Sequence, residues 1–169
     1  MTDDELMGLA LAEATAALSE REVPVGCVFA APRPGGGALV VLASARNRTN
    51  ASFDPTRHAE MVALDALGAG LPLHALRASL SAATLCVTVE PCVMCAAALA
   101  RAGVRRIVFG CANEKFGGCG TVMDVAGEGG GGPQVTGGVR AAEAVALLKA
   151  FYARPNVRTT ATASAPAKT

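Results

Sequence analysis

Apolar residues near the start of the chain recur at helical spacing, as Leu6, Leu9, Ala10, Ala14, Ala17 and Leu18. Asp3, Asp4 and Glu5 precede them, where a helix dipole favours negative charge, so the pattern predicts a helix over Thr2–Arg21. The runs Val25–Ala31 and Leu39–Ala45 are Val-rich and apolar, and the breakers Pro32-Arg33-Pro34-Gly35-Gly36-Gly37 lie between them, which predicts a hairpin. Asn47–Arg57 is polar and holds Asp54-Pro55, a loop signal. His58–Leu67, with Met61, Val62, Leu64 and Leu67, suits a second helix. Leu85–Val89 reads as a strand, Cys92–Ala102 as an Ala-rich helix opened by Pro91, and Arg106–Phe109 as another strand. The Gly-rich stretch Gly127–Gly138 reads as a surface excursion. Arg140–Arg154 is again amphipathic, with Ala141, Val145, Leu148 and Tyr152 on one side. Strands alternating with helices imply an α/β sandwich.

Length and composition narrow the class. The 169 residues fit a single domain, expected over residues 1–154. From Pro155 the chain turns to Ala, Thr, Ser and Pro, so residues 155–169 are expected to form a disordered tail. Hydrophobic residues make up 51% of the chain, but Ala and Gly are abundant and Trp is absent, so the core should be built from Val, Leu and Ala. A formal net charge of +1 gives no global electrostatic reason to bind a polyanion, which then requires a local patch or a partner. The acidic first residues are unlike a secretory signal, and no apolar run approaches the roughly 18 residues of a spanning helix. A soluble protein in a reducing compartment, with no membrane partner and unpaired cysteines, is the expectation.

Two short segments carry the chemistry: His58-Ala59-Glu60 and Pro91-Cys92-Val93-Met94-Cys95. In a helix starting near Pro91, Cys92 and Cys95 fall on one face, and both sulfurs can reach one ion at about 2.3 Å. The helix N-terminus favours their thiolate forms. His58, at the start of another helix, supplies a third ligand. Taken alone, Cys-x-x-Cys is also a redox pair or half of a closed zinc knot, and His-x-Glu is also an ordinary helix start. Together they describe a Zn2+ site with three ligands and an open fourth position, which marks a catalytic rather than a structural metal. Glu60 is left free to carry protons to and from water at that site.

His-x-Glu followed by Pro-Cys-x-x-Cys is the signature of the zinc nucleobase deaminases. VPVGCVFA (23–30), NRTNASFDPTRHAEMVALD (47–65), TVEPCVMCAAAL (88–99) and RIVFGCANEKFGGCGTVMDV (106–125) resemble the tRNA adenosine deaminases, and the resemblance covers most of residues 5–154. Within that family GCANEKFGGCG (110–120) and RAAEAVALLKAFY (140–152) are similar to the catalytic subunit of the eukaryotic heterodimeric enzymes. The resemblance implies a three-layer α/β/α cytidine-deaminase-like fold with a mixed central sheet of about five strands. It implies hydrolytic conversion of adenosine to inosine at the wobble position of tRNA anticodons, in the cytoplasm or nucleus. Partners would be tRNA and a homologous non-catalytic deaminase subunit in a heterodimer, with a homodimer as the other possibility. His58, Cys92 and Cys95 would bind zinc and Glu60 would shuttle protons to the ring nitrogen and the departing amine. Asn47 would hydrogen-bond the flipped base, Val25 and Ala59 would shape the pocket, and Asn113 would sit by the nucleotide backbone.

Bland roles stand beside these. Asn47 also fits a turn residue, Asn113 a cap, and Val25 a core residue. Cys27, Cys86, Cys111 and Cys119 read as buried small apolar residues and His74 as a surface or loop residue. The tail after Arg154 holds only Arg158 and Lys168 as basic residues, fewer than the Lys/Arg-rich extensions of many family members. Arg46, Arg48, Arg57, Arg101, Arg105, Arg106 and Lys115 are the candidates for lining the site instead. Two other readings remain: a deaminase of free cytosine or guanine compounds, and a scaffold that keeps zinc for folding while a partner performs catalysis.

Overall fold

In the computed structural model, residues 1–33, 35–127 and 130–154 are described; the tail expected at 155–169 lies outside them. Helix α1 spans Asp3–Ser19 and opens with a capping box. The Thr2 hydroxyl accepts from the Glu5 amide at 3.2 Å, and the Glu5 carboxylate accepts from the Thr2 amide at 2.7 Å. Its buried stripe is Leu6, Met7, Ala10, Leu11, Ala14 and Ala17. The stripe is therefore rotated from the expected one: Met7 and Leu11 point inward, while Leu9 is 43% exposed.

The hairpin forms as expected, from β1 (Gly26–Pro32) and β2 (Leu39–Arg46), with a register shift between Phe29 and Ala30. Strand β1 also pairs antiparallel with β3 (Thr84–Val89), so it lies inside the sheet and is buried on both faces. Cys27, Phe29 and Ala31 enter one core cluster, and Val28 and Ala30 the other. Gly26 is pressed against α1 so closely that an added Cβ would lie 2.3 Å from the Ala10 carbonyl oxygen. Strands β3 and β4 (Arg106–Cys111) run parallel, as do β4 and β5 (Gln134–Thr136). The mixed sheet has five strands in the order β2-β1-β3-β4-β5.

Two helical layers sandwich it. Helix α1 and α6 (Ala141–Tyr152) cover one face around Leu6, Met7, Val28, Cys86, Val108 and Ala144. On the other face lie α3 (Ala59–Gly68), α4 (Leu73–Leu80) and α5 (Val93–Ala102), around Phe29, Ala63, Leu80, Leu85, Leu99 and Ile107. The three-layer fold with a mixed sheet of five strands is the expected one, and the core is largely aliphatic with Phe29 as its largest side chain.

Several details differ from the pattern. A one-turn helix α2 (Thr49–Ser52) interrupts the polar loop, and α4 forms where the apolar pattern predicts no element. The excursion at 127–138 contains β5, held at the sheet edge by parallel pairing with β4 rather than by an apolar pattern. On α6 the fully buried residue is Ala144, while Tyr152 is 71% exposed and packs edge-on against Phe151. All six cysteines are free; Cys27, Cys86 and Cys111 are buried as expected, and Cys119 is half-buried. His74 is exposed on the first turn of α4. Among the described residues no helix is long and apolar enough to cross a membrane.

Candidate active site

Two helix N-termini on the same face of the sheet build the site. His58 is the N-cap of α3 and Cys92 the N-cap of α5, both with extended backbone, so their side chains project from the helix starts. Cys95 lies one turn into α5. The sulfurs of Cys92 and Cys95 are each 3.5 Å from His58 Nδ1, and the three donor atoms all lie within 4.8 Å of one another. Tetrahedral zinc with ordinary Zn–S and Zn–N bonds requires sulfur and nitrogen to be roughly 3.6 Å apart, so the donor set fits that ion. The Cys95 thiol, with a smaller contribution from His58, pushes Cys92 down to about 4 against the opposing effect of burial. Cys92 is thus held as a thiolate, the form that binds metal, while the same contact, with burial and Glu60, pushes Cys95 well up, so the pair shares one proton that metal binding would displace.

Glu60 is on the first turn of α3 and is 2% exposed. Burial pushes its carboxyl up to about 7, although the nearby His58 opposes the shift. Its Oε2 has no hydrogen-bond partner. A buried polar atom without a partner is rare in a folded protein and points to a role beyond folding. A structural zinc knot has no use for such a group.

Asn47, 5% exposed, caps α3 from outside: its Oδ1 accepts from the Ala59 amide at 2.9 Å. The Asn47 amide in turn donates to the Val25 carbonyl at 3.1 Å. Val25, Asn47 and Ala59 are thus brought together beside His58 and Glu60. Asn113 shares no hydrogen bond with this group. Its Oδ1 accepts from the Phe116 amide at 3.1 Å, closing a turn within its own loop, and its Nδ2 donates to the Glu90 carbonyl at 3.4 Å, tying that loop to the segment before Cys92.

The candidate basic residues divide. Arg46 pairs with Glu13 and Glu20, Arg57 with Asp54 and Asp65, and Arg106 with Asp3, so these three are already neutralised. Arg48, Arg101, Arg105 and Lys115 form no ion pair among the described residues and are all exposed.

Two buried carboxylates escaped the sequence reading. Glu22, 1% exposed, accepts from the amides of Asn50 and Ala51 and from the Thr49 hydroxyl, capping α2. Glu90, 2% exposed, accepts from the amides of Asn113, Cys119 and Thr121 at 3.0, 3.0 and 3.1 Å. Burial favours its neutral form, but these hydrogen bonds prevail and leave the carboxyl below its ordinary range. The one signal for Glu90 was an acid in an otherwise apolar strand end, next to Pro91-Cys92.

Three converging ligands with a free buried carboxylate beside them, set at helix N-termini over a mixed sheet, define a zinc-dependent hydrolytic enzyme. Residues 1–111 match the cytidine and deoxycytidylate deaminase zinc-binding region, and the chain belongs to that family. It is 40% identical over 156 residues to tRNA-specific adenosine deaminase 2 of Danio rerio, a match covering 89% of this chain and 70% of the relative. It is 39% identical over 154 residues to the tRNA-specific adenosine deaminase subunit tad2 of Schizosaccharomyces pombe, covering 90% of this chain but 37% of that longer protein. A tRNA(Ile)-lysidine synthase of Deinococcus deserti is 45% identical over 147 residues, covering 86% of this chain and 26% of the relative. Among solved structures, one described as a study of A-to-I editing by tRNA:A34 deaminases superposes with a TM-score of 0.68 at 34% identity, covering 85% of this chain and 99% of the other. A guanine deaminase from Nitrosomonas europaea superposes at 0.67 with 26% identity, covering 89% and 85%.

Proposed function

We propose that residues 1–154 form one deaminase domain that converts adenosine to inosine at the wobble position of tRNA anticodons. The observation that carries the hydrolytic part is Glu60, a buried carboxylate with a free oxygen beside three converging metal ligands. The substrate part is supported by relatives named as tRNA adenosine deaminases that align over most of this chain.

His58, Cys92 and Cys95 would hold the zinc, which, when bound, would supply water activated for attack near neutral pH. Glu60 would take a proton from the attacking water, deliver it to the ring nitrogen next to C6, and carry the second water proton to the departing amine, so that ammonia leaves and the oxygen stays on C6. The balance is adenosine plus water to inosine plus ammonia, with no redox change. Asn47, fixed by the α3 amide, presents its side-chain amide to the flipped base. Ala59 leaves the pocket floor shallow and Val25 forms its wall. Asn113 acts at the rim through the loop whose turn it closes.

The active assembly pairs this chain with a homologous non-catalytic subunit. A near-neutral chain with three of its candidate arginines already paired offers few phosphate contacts, and tRNA affinity rests largely on such contacts. The test incubates the chain, alone and with that subunit, with a tRNA bearing adenosine at the wobble position. Inosine at that position supports the reading, and its absence with both subunits present refutes it. The likeness to a guanine deaminase favours a second reading, deamination of a free purine; turnover of guanine without tRNA would establish that instead.

A further inference from the structure

We propose that Glu90 is a positioning residue for the metal centre: through the loop it anchors, it fixes the backbone around Cys92 and so sets how tightly zinc is retained. The inference rests on the zinc reading of His58, Cys92 and Cys95. Glu90 lies between the end of β3 and Pro91, and its own amide donates to the Cys111 carbonyl at 2.8 Å. Its carboxylate reaches across to three amides of the 113–121 loop, gathering that loop around a single side chain.

The gathered loop then grips both neighbours of Cys92. The Val93 amide, which the helix start leaves unpaired, donates to the Phe116 carbonyl at 2.9 Å, and the Gly118 amide donates to the Pro91 carbonyl at 2.9 Å. Cys92 and Gly117 face each other as an antiparallel bridge. The contact has no slack. A Cβ on Gly117 would lie 2.6 Å from Glu90 Oε2, and one on Gly118 would lie 2.7 Å from Ala96 Cβ and 2.8 Å from Val93 Cα. Groups that orient metal ligands without touching the metal typically change affinity by about 10- to 100-fold when removed.

The test measures zinc content and the rate of zinc release to a chromogenic chelator for the full chain, with melting temperature recorded in parallel. Glu90→Gln, which keeps the shape but turns one acceptor into a donor, and Glu90→Ala should each release zinc about 10- to 100-fold faster than wild type. Gly118→Ala, which pushes the same loop off α5, should do likewise. Glu22→Gln removes a comparable buried clamp from α2 and should lower the melting temperature without changing zinc release. If Glu90→Ala fails to fold, Glu90→Gln and Gly118→Ala decide. Unchanged release in both, or acceleration in Glu22→Gln equal to theirs, overturns the proposal. A wild-type chain that holds no zinc overturns the metal reading and the proposal with it, whereas zinc-loaded wild type with unaltered variants overturns the proposal alone.

Discussion

Glu60 and Glu90 are equally buried, each 2% exposed, yet they are opposite in every electrostatic respect. Glu60 sits at the first turn of α3 with one oxygen unpaired and its carboxyl pushed up to about 7 by burial. Glu90 sits at the end of β3, satisfied by three backbone amides, its carboxyl held below the ordinary range. Burial alone therefore does not fix a carboxyl's protonation; the hydrogen bonds it accepts decide it.

The contrast predicts crossed effects. Glu60→Ala should reduce deamination by at least about 10²- to 10⁴-fold, the usual contribution of a positioned acid and base, while zinc content stays at the wild-type value. Removing a buried carboxylate that has one oxygen without a partner should also leave the melting temperature equal to or above that of wild type. Glu90→Ala should do the reverse to stability, lowering it by about 3 kcal/mol or more because three amides lose their acceptor. Thermal unfolding of the two variants side by side checks the pair, and equal destabilisation would break the comparison.

Metal removal comes next in size. Dialysis against a chelator should abolish turnover and lower the melting temperature, since zinc at a hundred times its dissociation constant stabilises the fold by about 2.7 kcal/mol. Readdition of zinc should restore both.

Asn47 separates capping from base contact. Asn47→Ala, which strips the acceptor from the Ala59 amide, should cost about 1 kcal/mol in urea unfolding and also reduce activity. Asn47→Asp keeps the acceptor, so it should retain stability while losing activity.

The smallest effect is on the far face. Asp3 holds Arg106 through two hydrogen bonds of 2.6 and 2.7 Å, and its carboxyl lies below the ordinary 3.8. A depressed carboxyl stabilises the fold above its unfolded value and stops doing so as pH falls through the folded one. Part-exposed pairs are screened, so Asp3→Asn should cost ~0.5 kcal/mol at neutral pH. The difference from wild type should vanish as pH drops below 3.8.

How far the chain's features could be read from sequence follows the distance between the residues involved. Cys92 and Cys95, three residues apart at a helix start, are close enough that local geometry predicts their shared direction, whereas His58 and Glu60, two apart, converge because His58 is the extended N-cap of α3 rather than a residue of its first turn. The β1/β2 hairpin was legible for the same reason. Glu90 was not, because the amides it binds lie 23, 29 and 31 residues further along. Strand β5 is three residues with little apolar character, defined by its pairing with β4, and α4 follows Pro72 without a side-chain cap. On α1 a near-uniform run of Leu and Ala left the buried face undetermined until β1 packed against it at Gly26.

In the proposed reaction the zinc-loaded chain deaminates the wobble adenosine with Glu60 carrying the protons. The most direct test is sequencing of inosine in a wobble-adenosine tRNA after incubation with zinc-loaded wild type or Glu60→Ala, each together with the partner subunit. Inosine with the wild type alone, at equal zinc content, is the predicted result. Inosine with both proteins, or with neither, would contradict it.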